Sequence, residues 1–201
     1  MPILVLVRHG QSTWNLENRF TGETDVPLSA QGRQEALTAG SKLRDIPFFH
    51  AFTSVLQRAI DTLSLILETA HQQQVPVTRN RALNERNYGQ LQGLNKAEVA
   101  AQYGDDQLSL WRRSYRTCPP GGESLADTAA RVIPYYQTAM APLLKEQQNI
   151  LVVAHGNSLR SLVMYLEGIS EHDIADFDLP TGAPRRYTLD ENGTIKEVDY
   201  L

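Results

Sequence analysis

The chain is predicted to be an α/β protein, a three-layer α/β/α sandwich with a mostly parallel sheet and helices on both faces. Three observations predict this. Residues 3–7 (Ile-Leu-Val-Leu-Val) and 150–154 (Ile-Leu-Val-Val-Ala) are unbroken, β-branched-rich apolar runs, the pattern of strands buried on both faces. Segments of helical spacing alternate with shorter strand-like runs along the rest of the chain. Both apolar runs end in the same chemistry, His9-Gly10 and His155-Gly156. In such sheets ligands bind beyond the carboxyl ends of the strands. If the two runs are neighbours, the two histidines face each other at one crevice.

The elements follow in order. Ser29 caps a helix running to about Leu43, with Ala36, Leu37 and Gly40 on one face. Residues 51–53 form a short strand, and Arg58 to Thr69 a helix with Leu63, Ile66, Leu67 and Ala70 at helical spacing. Residues 75–78 are a short strand whose Pro76 points to a sheet edge. Residues 95–115 form one or two helices with unusual basic residues, and Pro119-Pro120-Gly121-Gly122 is a loop. Glu123-Ser124 opens a long helix to about Lys145, with Leu125, Ala129, Val132 and Ile133 inward and a kink at Pro134. The second apolar strand leads into a helix ending near Leu166. Asn192-Gly193 is a hairpin turn between residues 186–189 and 195–198.

A length of 201 residues suits one domain over 1–201, with a small helical cap around 85–122. Hydrophobic content of 41% and charged content of 21% are ordinary for a globular protein and argue against disorder or collagen-like order. A net charge of −4 argues against nucleic acid as a partner, yet leaves room for a local basic pocket. The one cysteine, Cys118, allows no intramolecular disulfide and no Cys-based zinc site; beside Pro119-Pro120 it reads as a bystander rather than a catalytic thiol. The apolar stretch at residues 2–7 stops at Arg8, too short for a signal-peptide core or a membrane span, so no membrane role and a cytoplasmic location are expected.

His9 is the first candidate for chemistry. A histidine attacks phosphorus through an unprotonated ring nitrogen, and an ordinary pKa of about 6.5 makes that form available at neutral pH. The other nitrogen needs an acceptor, which a nearby backbone carbonyl would supply. Gly10 lets the chain turn and a phosphate approach, and Arg8 offers a planar fork for phosphate oxygens. The bland alternative is a histidine packed after a strand. His155 stands where free N–H groups of a helix start favour anions; it would stabilise a transferring phosphoryl group, or simply enter a helix capped by Asn157 or Ser158. Arg58 is a third phosphate ligand or an exposed helix residue. Glu85 is the proton donor and acceptor that an alcohol exchange requires, or a solvated loop carboxylate.

Lys96, Arg112 and Arg113 form a further cationic set; of two adjacent helical arginines one usually faces solvent, but a substrate with a carboxylate and two phosphates could engage both near a helix end. His50, His71 and His172 lie apart without metal-binding spacing, so no metal is expected. Trp14 and Trp111 read as packing residues.

The sequence resembles the histidine phosphatase superfamily through Val7-Arg8-His9-Gly10 and His155-Gly156, and more closely its cofactor-dependent phosphoglycerate mutases. The matching stretches include residues 6–15, Asn18-Arg19-Phe20-Thr21-Gly22, residues 53–59 and Leu83-Asn84-Glu85-Arg86-Asn87-Tyr88-Gly89. Residues 91–96, Trp111-Arg112-Arg113 and residues 154–160 continue the match. The resemblance implies that His9 is the phosphohistidine, Glu85 the proton donor and acceptor, and His155 the transition-state stabiliser. Arg8, Arg58, Asn15, Gly156 and Asn157 would complete the phosphate pocket. Thr21, Gly22, Tyr88, Lys96, Arg112 and Arg113 would hold the rest of the phosphoglycerate.

The implied reaction interconverts 2-phosphoglycerate and 3-phosphoglycerate in glycolysis and gluconeogenesis, with 2,3-bisphosphoglycerate as priming phosphoryl donor. The alternatives are a phosphomonoesterase of the same superfamily and a non-catalytic phosphate-binding regulator. Longer members carry an insertion after the Trp-Arg-Arg segment, where this chain has only residues 116–122, and a tail that can cover the site. The resemblance implies a homodimer or other homo-oligomer, and these two differences leave the choice open. They also imply a phosphohistidine more open to water.

Overall fold

The computed structural model describes residues 1–201. The first strand β1 (Ile3–Arg8) is followed by α1 (Thr13–Leu16), α2 (Ala30–Lys42), β2 (His50–Thr53), α3 (Gln57–Thr69) and β3 (Val77–Arg79). Next come α4 (Lys96–Tyr103), α5 (Asp105–Arg113), α6 (Leu125–Tyr135), a π turn over Tyr136–Met140 and α7 (Ala141–Lys145). β4 (Ile150–Ala154), α8 (Gly156–Glu167), β5 (Arg185–Leu189) and β6 (Ile195–Tyr200) complete the fold. No helix is long and apolar enough to cross a membrane.

The strands form one sheet in the order β3-β2-β4-β1-β5-β6. β3, β2, β4 and β1 are mutually parallel, and β5 and β6 add an antiparallel hairpin at the far edge. The two apolar strands are neighbours, with Arg8 opposite Ala154. Their carboxyl ends therefore release His9 and His155 side by side.

The period of two along a strand sends alternate side chains to opposite faces. Leu4, Leu6, Ile150 and Val152 pack with Val132, Met140, Leu144, Leu159 and Leu162 from α6, the π turn, α7 and α8. Val5, Val7, Leu151 and Val153 pack with Ala39, Leu43, Leu63, Ile66 and Leu67 from α2, α3 and the turn after α2. The sheet is thus the middle of three layers. Truncating fully buried Leu6 to alanine would cost about 2–5 kcal/mol, because such a site refills only partly. A third, smaller cluster of Phe20, Leu91, Val99, Leu108 and Trp111 lies in the segment between β3 and α6, with Phe20 reaching in from the first loop.

Several boundaries differ from the sequence reading, each for a local reason. Residues 95–115, read as one or two helices, are two, because Gly104 at φ +87° breaks them. The long helix after Ser124 is not one regular α-helix. Pro134 has no N–H to give, α geometry ends at Tyr135, and a π turn carries the chain to α7, with Thr138 Oγ1 donating to the Pro134 carbonyl at 2.8 Å. Ile133 is only half-buried. β3 starts at Val77 rather than Val75, although the Pro76 carbonyl still accepts the Ala51 N–H at 2.9 Å. The short helix α1, closed by reciprocal Ser12 and Asn15 bonds, was not foreseen.

Candidate active site

His9 leaves the end of β1 with its imidazole orientation fixed by two unlike partners. Nδ1 lies 2.7 Å from the Gly10 carbonyl oxygen, and Arg58 Nε lies 3.3 Å from Nε2. A carbonyl only accepts and a guanidinium only donates. Nδ1 therefore carries the proton, and Nε2 presents its lone pair. Burial and the nearby charges of Arg58 and Arg8 hold the His9 pKa well below its ordinary value, which keeps this neutral form.

The turn after His9 is packed tightly against α2. A Cβ on Gly10 would stand 2.1 Å from the Gly32 carbonyl oxygen, so that backbone approach requires glycine. Thr62 Oγ1 accepts the Gly10 N–H at 3.1 Å and donates to the Arg58 carbonyl at 2.7 Å, tying the turn to α3.

Arg58 is a buried cation, not an exposed helix residue, and Nη1 and Nη2 donate to the Thr24 and Gly22 carbonyls at 2.9 and 2.7 Å. Burial pushes its pKa down to about 10, so it remains charged at neutral pH. Arg8 Nη1 donates to the Leu179 carbonyl at 2.8 Å. Arg8 Nε and Thr21 Oγ1 are buried without a protein partner. Both line the same cavity, and both are groups that an oxygen-rich anion would satisfy.

Glu85 is buried rather than solvated. Its Oε1 accepts the Arg86 N–H at 2.8 Å and the Asn157 N–H, from the first turn of α8, at 3.0 Å. Oε2 has no such partner. The Glu85 loop is held from α6 by Arg131, which donates to the Ala82, Asn84 and Glu85 carbonyls at 2.8, 3.0 and 3.1 Å and pairs with Glu123 at 3.0 Å.

One cavity at the carboxyl ends of β1 and β4 collects nearly every predicted residue. The sheet side contributes Arg8, His9, Arg58, Gly156 and Asn157, and the first loop Asn15, Thr21 and Gly22. Glu85, Tyr88, Lys96, Arg112 and Arg113 close it from the other side. Arg112 and Arg113 both line the cavity, from the last turn of α5, the helix-end position at which one ligand can engage both. Burial and the neighbouring Arg112, Arg8 and Arg113 push the Lys96 pKa down to about 8.

His155 does not line the cavity. It is fully buried behind His9, with ring centroids 4.9 Å apart and planes at 61°. Its Nε2 lies 2.7 Å from Ser54 Oγ, and burial and the Arg58 charge hold its pKa well below the ordinary value. Ser158 accepts the His155 N–H at 3.1 Å, so the helix-entry role is also present.

Four contributors were not singled out from the sequence. Arg19, Arg160 and Asp178 line the cavity. Arg160 donates to Asn157 Oδ1 at 3.0 Å, an i,i+3 pairing on α8 that the helical spacing of the two residues could have revealed. Arg86 is fully buried; it donates to Tyr88 Oη at 2.9 Å and to the Trp111 and Arg112 carbonyls at 2.7 and 3.1 Å. It thereby satisfies the carboxyl end of α5, where a cation is favoured. Trp111 packs in the small cluster, and Cys118 is exposed away from the cavity. No group of three or more His, Cys, Asp or Glu residues comes together as a metal site.

Residues 4–198 match the histidine phosphatase superfamily (branch 1). The chain is 59% identical over its whole length to the 2,3-bisphosphoglycerate-dependent phosphoglycerate mutase of Cytophaga hutchinsonii, covering 94% of that protein. It is 51% identical to 2,3-bisphosphoglycerate-dependent phosphoglycerate mutase 2 of Gloeobacter violaceus, over 98% of this chain and 90% of that one. Among solved structures, a mycobacterial glucosyl-3-phosphoglycerate phosphatase superposes with a TM-score of 0.84 at 26% identity, covering 99% of this chain and 97% of the other.

Proposed function

The chain belongs to the histidine phosphatase superfamily (branch 1), and from that premise we propose that it acts as a 2,3-bisphosphoglycerate-dependent phosphoglycerate mutase. It interconverts 2-phosphoglycerate and 3-phosphoglycerate, the isomerisation shared by glycolysis and gluconeogenesis. The observation that carries this reading is the pairing, in one cavity, of an unprotonated His9 Nε2 with a second cationic set, Lys96, Arg112 and Arg113. A phosphate pocket alone would serve hydrolysis. A second anion-binding set serves a substrate that carries another charged end and must be retained.

In the mechanism His9 Nε2 attacks phosphorus; the N–P bond forms as the P–O bond to the departing oxygen breaks. Arg8 and Arg58 offset charge on the phosphoryl oxygens, and no covalent work is asked of them. His155, packed against the His9 ring, stabilises the phosphoryl group in transit. Glu85 Oε2 gives its proton to the departing oxygen and takes one from the accepting hydroxyl on return, so the proton count closes over the cycle. Asn15, Gly156 and Asn157 complete the phosphate pocket; Thr21, Gly22 and Tyr88, with the second cationic set, hold the rest of the molecule. 2,3-Bisphosphoglycerate supplies the phosphoryl group that loads His9. The unpartnered Arg8 Nε and Thr21 Oγ1 fit such a polyanion.

The chain works as one domain whose helical cap, residues 85–122, carries Lys96, Arg112 and Arg113. Its partners are small phosphoglycerates in the cytoplasm, and its expected assembly is a homodimer or other homo-oligomer. A coupled assay with 3-phosphoglycerate, run with and without added 2,3-bisphosphoglycerate, tests the reading. Isomer formation that depends on the bisphosphate and outpaces release of inorganic phosphate is expected. Rapid phosphate release without isomer would overturn it.

A further inference from the structure

Tyr88, in the cavity wall, has two hydrogen-bond donors aimed at its oxygen. Arg86 Nη2 donates to Tyr88 Oη at 2.9 Å, and Asn157 Nδ2 donates to it at 3.2 Å. A guanidinium has no acceptor to offer, so the Arg86 bond runs only one way. An amide has both NH2 and oxygen, so by itself Asn157 could meet Tyr88 with either. Arg160 decides the matter. Three residues along α8, its Nη1 donates to Asn157 Oδ1 at 3.0 Å. That bond turns the amide oxygen to Arg160 and the NH2 to Tyr88.

Arg160 is itself held in place. It is buried, and its Nη2 donates to the carbonyl of Ile174 and, at 3.5 Å, to that of Arg113. Burial pushes its pKa down to about 10, so it stays a charged donor at neutral pH.

Two inbound donors thus occupy the acceptor sites of the Tyr88 oxygen, and no protein group accepts its O–H. Both donors belong to buried side chains, and the cavity lies on the remaining side. The proton is left for a ligand. A hydroxyl that already accepts hydrogen bonds is polarised into a stronger donor. The ligand atom opposite Tyr88 must then be an acceptor, as a carboxylate or phosphate oxygen is.

We propose that Arg160 is a positioning residue, acting through Asn157 to aim the Tyr88 hydroxyl proton at an anionic oxygen of the substrate. Without the Arg160 donor the Asn157 amide is free to turn over; Oδ1 then faces Tyr88 and takes the proton that the ligand would have received. The identity of the ligand rests on the mutase reading. The polarity of the chain from Arg160 through Asn157 to Tyr88 rests on the hydrogen bonds alone.

A double-mutant cycle, with 3-phosphoglycerate binding to the intact protein measured by calorimetry, tests this. Tyr88→Phe is expected to weaken binding about tenfold in the parent, the scale of one hydrogen bond to a charged group. In an Arg160→Met background the same change is expected to cost less than about twofold, because the proton is already diverted. Asn157→Asp keeps the side-chain shape and always presents an acceptor to Tyr88, so it is expected to suppress the Tyr88→Phe loss as well, even if Arg160→Met fails to fold. Arg160→Lys keeps a donor for Oδ1 and is expected to restore the loss. A merely structural Arg160 would leave the Tyr88→Phe loss intact in Asn157→Asp. The full loss in either the Arg160→Met or the Asn157→Asp background would overturn the proposal, as would no loss in the parent or no recovery in Arg160→Lys. A parent protein that binds no 3-phosphoglycerate would remove the mutase reading and this inference with it; binding with additive effects removes this inference alone.

Discussion

The imidazoles of His9 and His155 meet edge to face, 4.9 Å between centroids, each one residue beyond a strand that pairs with the other in parallel register. Sheet geometry therefore sets their spacing, and neither ring depends on a mobile loop for its place. Only His9 borders the cavity, and His155 lies buried behind it.

Replacing His9 with alanine is expected to abolish phosphoenzyme formation from labelled 2,3-bisphosphoglycerate and to reduce turnover to background. His155→Ala is expected to leave slow labelling while kcat falls by about 10²–10³, the usual loss when one stabilising group is removed. Rapid-quench labelling separates the two. Normal turnover in His9→Ala would sink the mechanism.

Glu85→Gln keeps an acceptor for the Arg86 and Asn157 N–H groups but cannot shuttle a proton. We expect kcat to fall by about 10²–10⁴, with substrate affinity changed only a few-fold. Steady-state kinetics together with equilibrium binding of 3-phosphoglycerate check this. An equal loss in affinity would mean that Glu85 is structural.

Lys96 titrates near pH 8 in the free protein because burial and three arginines disfavour its charge. Below that pH it is protonated and attracts the anionic substrate. As pH rises through about 8 the proton is lost, and KM should climb by up to about tenfold per pH unit, while kcat changes less. Lys96→Met should have a raised KM already at pH 7 and no rise of this origin. A KM flat from pH 7 to 9 in the parent protein would contradict the assignment.

Both buried histidines have folded-state pKa values depressed well below 6.5, whereas the unfolded chain binds their protons near the ordinary value. The unfolded state therefore takes up more protons as pH falls below about 6.5, and stability should decline there by about 1.4 kcal/mol per pH unit for each histidine. The contribution is fully present above pH 6.5. Urea unfolding between pH 7 and 5.5 should show the slope, and His9→Asn should remove roughly one histidine's share.

Much of the fold was legible because burial on both faces leaves an unmistakable sign in residues 3–7 and 150–154. The repeated His-Gly suggested that His9 and His155 converge if these runs are neighbours, and the β1–β4 pairing supplies that condition. Asp178 and Arg131 left no such trace. They act across long stretches of sequence, Asp178 on Arg8 and Arg131 on the Glu85 loop, and a charge on a loop or helix does not announce its partner. Arg112 and Arg113 both reach the cavity from the last turn of α5, the helix-end placement that lets adjacent side chains serve one ligand. The π turn was hidden for the opposite reason: Pro134 signalled a disturbance but not its form.

Arg86 directly follows Glu85 in the chain and grips the last carbonyls of α5, the helix that carries Arg112 and Arg113 to the cavity. One buried guanidinium thus ties the proposed proton donor to the proposed substrate-binding helix. On that proposal it is a single point of failure, and removing its charge would disturb acid and anion site together.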